Sequence, residues 1–268
     1  MAESKLVEIQ RWKEDSLHPT ETDAVATEEP LEIRVRGRSI AITMRTPGHD
    51  EELAAGFLVT ENIIHQRRDV SEIAHCREGE AAQLKNTMNV FLAPEVEVDF
   101  GQLTRHFFAS SSCGLCGKAS IESVHQHFPP VKSQSEVSAK MLASLPDKLR
   151  VAQPTFDQTG GLHAAGLFSM DGFLTVSRED VGRHNAVDKV IGNAFLDRVD
   201  LSQSILLVSG RASFEIMQKS LAARIPIVAA VSAPSSLAVE FAKDSGQTLA
   251  GFVRGKTMNV YAGAQRVR

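Results

Sequence analysis

The chain has 268 residues and a formal net charge of −4, with 43% hydrophobic and 23% charged residues. These proportions are ordinary for a globular protein that buries a substantial core, as one large domain or two smaller ones. No apolar run is long enough to span a bilayer, and residues 1–14 lack the apolar stretch of a secretory signal, so we expect a cytoplasmic protein without a membrane segment.

The N-terminal part predicts a polar arm followed by a small α+β domain. Residues 1–28 are polar and acidic, which is typical of an extended arm without chemistry. Next come a β-hairpin around Gly37, a helix with one apolar face and two strand-like runs, so we assign residues 29–105 to one domain. The ranges of these elements are 30–45, 50–62, 89–92 and 96–100.

Residues 106–268 predict a second, larger domain. After a linker with a short helix over 129–150, strands and helices alternate regularly, which indicates right-handed β-α-β units and a largely parallel, helix-covered sheet. The predicted strands are 162–168, 172–177, 204–209, 226–232, 248–254 and 258–262, and the predicted helices include 213–224 and 235–244.

Two of the three cysteines, Cys113 and Cys116, stand in a Cys-x-x-Cys spacing. A helix predicted over residues 118–127 places Cys113 near a helix N-terminus, where a nucleophilic thiolate is favoured. Four interpretations fit the pair: a persulfide or sulfur-transfer site, a dithiol–disulfide redox site, half of a zinc site, or two buried structural thiols. Cys76 lies in a polar loop and has no predicted role.

Charge is unevenly spread along the chain. Residues 1–158 carry a net charge of −7 and residues 159–268 a net charge of +3. A duplex nucleic-acid surface normally shows a dense basic stripe, so we expect no nucleic-acid partner. The small basic excess suits a few ligand phosphates, and a random scatter of surface charge explains it equally well.

Turns of small residues follow several strands of the second domain, where ligand sites lie in sheets of this kind. Free backbone N–H groups beside a helix N-terminus and a cationic side chain bind anions. Such turns contain Arg183, Arg211, Arg254 and Lys256, so together they predict a site for a ligand with several phosphates. Taken singly, each of these turns is more often a structural turn that binds no ligand.

His163 and His184 are the two histidines with the strongest functional pattern, because each follows a glycine-rich turn. A partly buried, hydrogen-bonded histidine is an equally good interpretation of each. His184 and Asp188, four residues apart, form either an oriented base or a simple helix pair. His125 and His127 follow Cys116 at no usual zinc-site spacing, so we assign no metal ligands, and neither a dinucleotide fingerprint nor a P-loop motif is present.

Several motifs follow one another in a fixed order from about residue 28 onward. Jointly they resemble the FdhD family, the sulfur carrier proteins needed to make active formate dehydrogenase. The motifs are SCGLCG at 112–117, TGGLHAA at 159–165, EDVGRHNAVDK at 179–189, SGRASFE at 209–215, VSAPSSLAV at 231–239, and GFVRG at 251–255 with MNVY at 258–261.

The resemblance implies an α/β fold, a cytidine-deaminase-like, helix-covered mixed sheet with a smaller N-terminal α+β domain. It implies a cytoplasmic homodimer acting as a sulfurtransferase. Cys113 accepts persulfide sulfur from a cysteine desulfurase, Cys116 assists, and the sulfur passes to the molybdenum bis-guanine-dinucleotide cofactor that formate dehydrogenase needs. The cofactor-binding stretch falls on Phe252, Val253, Arg254, Gly255, Lys256 and Thr257, to which the turns described above add His163, Arg183, His184 and Arg211.

Two other hypotheses stay open beside this one. The first is a non-catalytic chaperone that binds and delivers the molybdenum cofactor, with a structural or zinc-bound cysteine pair. The second is a dithiol oxidoreductase, which requires a reversible disulfide between Cys113 and Cys116.

Overall fold

The computed structural model describes residues 2–100, 125 and 127–268, and at Glu80 the backbone alone. The N-terminal arm is a two-stranded ribbon in which β1 (Ser4–Ile9) pairs antiparallel with β4 (Glu21–Ala26). The short strands β2 (Trp12–Lys13) and β3 (Ser16–Leu17) form its tip. The arm is thus extended, as predicted, but it is paired with itself.

A four-stranded sheet in the order β6-β5-β8-β7 follows the arm. The predicted hairpin is confirmed, because β5 (Glu29–Val35) and β6 (Arg38–Arg45) are antiparallel and Gly37 has a φ of 76° in the turn between them. The predicted helix is confirmed as α1 (Asp50–Thr60), which packs on the sheet through Leu53 and Leu58. The remaining elements are β7 (Val70–His75), α2 (Gly79–Leu84) and β8 (Thr87–Leu92).

The strand predicted over residues 96–100 is wrong. Pro94 follows β8 and has no N–H to continue a ladder. The carbonyl of Val96 accepts a hydrogen bond of 2.6 Å from the Arg36 side chain instead of from a neighbouring strand. Val98 packs against the small core, so the apolar alternation there reflects burial without strand pairing.

The second sheet has six strands in the order β10-β9-β11-β12-β13-β14. Only the pairs β11–β12 and β12–β13 are parallel, so the prediction of a largely parallel sheet is wrong and that of a mixed sheet is confirmed. Short turns join β9 to β10 and β13 to β14, and such turns allow only antiparallel pairing. The strands are β9 (His163–Ser169), β10 (Leu174–Asp180), β11 (Ser204–Val208), β12 (Ile227–Ala230), β13 (Thr248–Arg254) and β14 (Thr257–Ala262).

Helices cover both faces of this sheet. Within the described residues, Leu206 and Val208 of β11 face a core to which three helices contribute buried side chains, and Ile205 and Leu207 face a separate core to which one helix does. A strand buried on both faces is apolar throughout, which explains the uninterrupted run in β11. On the first face lie α5 (Arg183–Leu196), α6 (Phe214–Ala222) and α7 (Ser236–Asp244); on the second lies α3 (Ala139–Val151), which the short helix α4 (Pro154–Thr159) follows.

The two sheets are held together by a close crossing of α1 and α5. A Cβ atom added to Gly56 of α1 would lie 1.8 Å from the Asp188 carbonyl oxygen. One added to Gly192 of α5 would lie 1.8 Å from the Glu52 carbonyl oxygen. The two backbones therefore touch, and only glycine at these positions allows it.

An ion pair reinforces the same junction. Arg178 of β10 donates from Nε to Glu52 Oε2 and from a terminal guanidinium nitrogen to Oε1, both at 2.6 Å. Burial would raise the pKa of Glu52, but hydrogen bonds from His49 and Arg178 outweigh it and lower that pKa to about 2. The pair therefore fixes β10, which ends at the site described below, to the helix of the small sheet.

Two predictions about the fold stay predictions. The proposed boundary at residues 105 and 106 lies outside the described residues. The likeness to cytidine deaminases is likewise untested, although the mixed sheet and its helical layers agree with it.

Candidate functional site

His163 and the turn after β11 meet at one edge of the six-stranded sheet. Because β9 runs antiparallel to β11, the first residue of β9 lies where β11 ends. Ala164 N–H donates to Ser209 Oγ at 2.8 Å, and Ser209 N–H donates to the Ala164 carbonyl at 2.9 Å. A Cβ on Gly210 would lie 3.3 Å from His163 Nδ1, so the turn lies directly against the imidazole.

Asp180, the last residue of β10, is paired with His163 at the start of β9, so the N-terminus of α5, which begins at Arg183, lies near the same imidazole. Burial lowers the pKa of His163, the charges of Arg183 and His184 lower it further, and Asp180 opposes them. A lowered pKa keeps His163 neutral at pH 7, so that it can accept as well as donate a hydrogen bond. The structure thus brings together three of the predicted site residues.

Arg183 has an unused donor in this cluster. Its Nε atom is buried and makes no hydrogen bond to any residue in the described part of the chain. A buried guanidinium N–H without an acceptor is unfavourable, and an anionic ligand supplies one. The arrangement therefore fits the predicted phosphate-bearing ligand.

His184 contacts α6 and not Asp188, so both interpretations of the His184–Asp188 spacing are wrong. His184 Nε2 lies 3.3 Å from Ser213 Oγ and 3.3 Å from Glu215 Oε2. The hydrogen bond with His184 lowers the pKa of Glu215 to about 2, against the effect of burial. Because the same imidazole nitrogen faces both groups, and Ser213 donates to Glu215, these residues do not form a nucleophilic triad.

Asp188 belongs to a buried cluster beneath a cleft of about 310 Å³ between the small sheet and α1, α5 and α6. Lys219 Nζ lies 2.8 Å from Asp188 Oδ2, and Thr60 Oγ1 donates to Asp188 Oδ1 at 3.0 Å. His184 and Glu215 line the same cleft. The sequence analysis missed Lys219, which only its position on a predicted helix between apolar residues marks, and it contained Glu215 only as the last residue of the motif at 209–215.

The turns after β11 and β12 run side by side along the edge. Ser232 N–H lies 3.4 Å from the Gly210 carbonyl, and Ser235 N–H donates to the Ala212 carbonyl at 2.9 Å. Arg211 is exposed between them. Ser213 and Ser235 are the N-cap residues of α6 and α7, and Ser235 Oγ accepts from Ala238 N–H.

The predicted stretch 252–257 continues this edge at β13. Phe252 N–H donates to the Ser232 carbonyl at 3.1 Å, with an unusual φ of 52° at Phe252. Val253 is fully buried in the core shared with α3, so its side chain cannot touch a ligand, and only its backbone remains available. The others form an exposed turn toward β14: Arg254, Gly255, Lys256 and Thr257.

The predicted site residues thus fall into two groups on one edge. Backbone hydrogen bonds through Gly210 and Ser232 connect the His163 group to Phe252. No direct contact joins the exposed 254–257 turn to His163 among the residues that the structure describes. Cys113 and Cys116 lie outside the described residues.

Two further findings concern the described part of the chain. Over residues 2–100, 125 and 127–268, no group of three or more His, Cys, Asp or Glu side chains could hold a metal ion. No helix in the same part of the chain is long and apolar enough to cross a membrane.

Comparison with known proteins places these features in a family. The FdhD/NarQ family profile matches residues 26–268. The Sulfur carrier protein FdhD of Streptomyces coelicolor is 53% identical over 264 residues, covering 94% of this chain and 92% of the relative. The protein of the same name from Mycobacterium tuberculosis is 53% identical over 256 residues, covering 92% and 93%.

A solved structure shows the same fold over the whole length. It is described as a formate dehydrogenase accessory protein from Desulfotalea psychrophila, and it matches with a TM-score of 0.78, 27% sequence identity and 100% coverage of both chains. The resemblance drawn from the ordered motifs is therefore confirmed. The chain belongs to the FdhD/NarQ family.

Proposed function

We propose that this protein is a sulfur carrier that takes part in the maturation of formate dehydrogenase. One observation carries the proposal: relatives called Sulfur carrier protein FdhD share 53% of residues with this chain over more than 90% of both lengths. The Cys-x-x-Cys pair at Cys113 and Cys116 supplies thiols for that chemistry.

Cys113 is the proposed acceptor of sulfur. Its thiolate attacks the outer sulfur of a persulfide on a cysteine desulfurase, so a new S–S bond forms while the S–S bond of the donor breaks. The donor cysteine leaves as a thiolate, and the exchange involves no net oxidation. The protein then carries the sulfur as a Cys113 persulfide.

Cys116 completes the transfer in this proposal. Its thiolate attacks Cys113 Sγ, a Cys113–Cys116 disulfide forms, and the outer sulfur leaves as hydrosulfide after taking up a proton. The two cysteine sulfurs supply the two electrons that reduce the outer sulfur. A dithiol reductant of the cytoplasm then restores the pair.

The substrate that receives the sulfur is the molybdenum bis-guanine-dinucleotide cofactor, as cargo of the protein. The edge described above supports this choice, because Arg183 has a buried donor without an acceptor among the described residues, and Arg211, Arg254 and Lys256 add exposed positive charge. His163 adds a neutral imidazole. Such groups suit the two pyrophosphates of that cofactor.

The remaining parts of the proposal concern partners and location. We place the protein in the cytoplasm as a homodimer that meets a cysteine desulfurase and formate dehydrogenase in turn. The family relationship supports this assignment, and the formate dehydrogenase accessory description of the solved relative supports the acceptor.

Intact-protein mass spectrometry after incubation with a cysteine desulfurase and cysteine tests the carrier role. Wild type and Cys76→Ala, the matched control, should gain about 32 Da, one sulfur atom, and lose it on adding a thiol. Cys113→Ala should gain nothing and should not support formate dehydrogenase activity. Active dehydrogenase matured by Cys113→Ala would refute the proposal.

The same samples separate the carrier from a zinc-bound or passive chaperone. Zinc content is measured in wild type and in a Cys113→Ala/Cys116→Ala double variant. Stoichiometric zinc that disappears in the double variant, with no sulfur adduct in any form, would favour the chaperone. Metal-free wild type that gains sulfur would exclude the zinc-bound form.

A further inference from the structure

A buried ion pair lies directly beneath the turn that carries Arg183 and His184. Lys189 Nζ lies 2.7 Å from Asp180 Oδ2, and the two side chains are 1% and 0% exposed. A buried ion pair is on average no more stabilising than a well-packed apolar pair of the same size. Stability alone therefore does not account for these two buried charges, and the groups that they bind indicate a further role.

Both carboxylate oxygens of Asp180 have partners. Oδ1 accepts from Gly182 N–H at 2.8 Å and from Asn185 Nδ2 at 2.9 Å, and Oδ2 accepts from Thr46 N–H at 3.2 Å. Lys189 Nζ also donates to the Thr46 carbonyl at 2.9 Å. The pair thus joins the end of β10 and the start of α5 to the loop after β6 of the small sheet.

Asn185 ties the first turn of α5 to β6 itself. Its Nδ2 atom donates to the Met44 carbonyl at 2.7 Å, and its Oδ1 atom accepts from Thr43 Oγ1 at 3.1 Å. The side chain is buried, so water does not compete for these bonds. With the bond to Asp180, the amide makes three hydrogen bonds in fixed directions.

Arg183 and His184 lie between two points that this network fixes. On one side Gly182 is bound to Asp180, and a Cβ there would lie 2.8 Å from Asn185 Nδ2. On the other side stands Asn185. We propose that Asp180, Asn185 and Lys189 are positioning residues that keep Arg183 and His184 close to His163 at the cargo site; the assignment of this site to a cargo rests on the function proposed above.

The test is a pH titration of the His163 and His184 imidazoles by NMR in the full chain carrying Asn185→Ala. This substitution removes three hydrogen bonds and no charge, so a changed His163 titration reports a change in the burial of His163 or a movement of Arg183, His184 or Asp180, the charged groups that act on it. The His163 pKa should move up toward its ordinary value, because Arg183 and His184 move away while Asp180 stays bound to Lys189 and Thr46. Signals are assigned with His163→Gln and His184→Gln.

Gln247→Ala is the matched control. Gln247 is a buried amide, 1% exposed, that donates to Ser220 Oγ at 2.9 Å and to the Ile225 carbonyl at 2.8 Å. Its loss should lower the melting temperature and leave the His163 titration unchanged. If Asn185→Ala does not fold, Thr43→Val removes a single bond of the network and should move His163 in the same direction.

Three outcomes are distinguishable. A His163 titration that is unchanged in folded Asn185→Ala and Thr43→Val, or shifted equally in Gln247→Ala, overturns the positioning role. A shift confined to the two network variants, together with reduced dehydrogenase maturation, supports the role and the cargo site. The same shift with full maturation supports the positioning role and contradicts only the assignment of this turn to the cargo.

Discussion

At the close crossing of α1 and α5, packing and helix propensity have opposite effects on stability when a glycine is replaced by alanine. Gly192→Ala adds a Cβ that would lie 1.8 Å from the Glu52 carbonyl oxygen and 2.7 Å from Gly56 N. An ordinary contact of this kind is about 3.5 Å. Both neighbours are backbone atoms of another helix, so no side-chain rotation relieves the clash.

The expected loss follows from two terms. Alanine in a helix interior is favoured over glycine by about 1 kcal/mol. Overpacking against rigid backbone costs about 3 kcal/mol or more, so Gly192→Ala should reduce the free energy of unfolding by about 2 kcal/mol or more. For a chain of this size the melting temperature should fall by about 4–8 °C.

Thermal unfolding followed by circular dichroism measures the effect. Gly161→Ala is the control, because its Cβ would lie 3.5 Å from Ala26 Cβ, an ordinary contact, and its melting temperature should stay within about 2 °C of wild type. If Gly192→Ala does not fold, Gly56→Ala tests the same crossing from the other helix. A melting temperature for Gly192→Ala equal to or above that of wild type would refute the close crossing.

Three further predictions concern buried groups. Lys219→Met leaves the buried Asp188 carboxylate without its cation and should lower the free energy of unfolding, measured by urea denaturation, by about 3 kcal/mol. In the double variant, Asp188→Asn should restore most of this loss. Additive effects of the two substitutions would contradict the ion pair. Because the pKa of Glu52 is lowered to about 2, its ionised form stabilises the fold above its ordinary pKa of 4.5, and this contribution is lost as the pH falls toward 2. Glu52→Gln should therefore unfold more easily than wild type near neutral pH, with the difference shrinking in acid; a difference independent of pH would contradict the assignment. Val253→Ala should lower the free energy of unfolding by about 2 kcal/mol and spare binding of the proposed molybdenum cofactor, whereas Arg254→Ala should weaken that binding and spare stability; the reverse pattern would place Val253 at the ligand.

The sequence was most informative where one segment contains the whole signal. The hairpin around Gly37 needs only alternating residues and a turn, and the helix α1 needs only one apolar face, so both were predictable. The edge of the second sheet was predictable for the same reason, since strand ends and following turns are adjacent in the chain. The strand prediction over residues 96–100 was wrong because a segment that buries every second residue without a partner strand shows the same alternation of apolar and polar residues as a strand.

The side-chain partners at the site needed the tertiary structure. The spacing of His184 and Asp188 suggested a pair, but Asp188 is bound to Lys219 of the next helix, 31 positions away. Asn185 is bound to Thr43, 142 positions away, which no local pattern records. Val253 lies inside a predicted binding stretch, yet its side chain faces the core shared with α3.

The sequence by itself determined the order of motifs, and with it the family, because each motif is a contiguous run of residues that can be identified without knowledge of the fold. It also placed His163, Arg183 and His184 in turns at strand ends. Only the tertiary structure decided that these three lie near one another, that the buried carboxylate of Asp180 is bound to the turn before α5, and that Gly192 lies against another backbone. Such contacts depend on how separately formed elements pack, and packing selects partners by distance in space, which the spacing of residues along the chain does not specify.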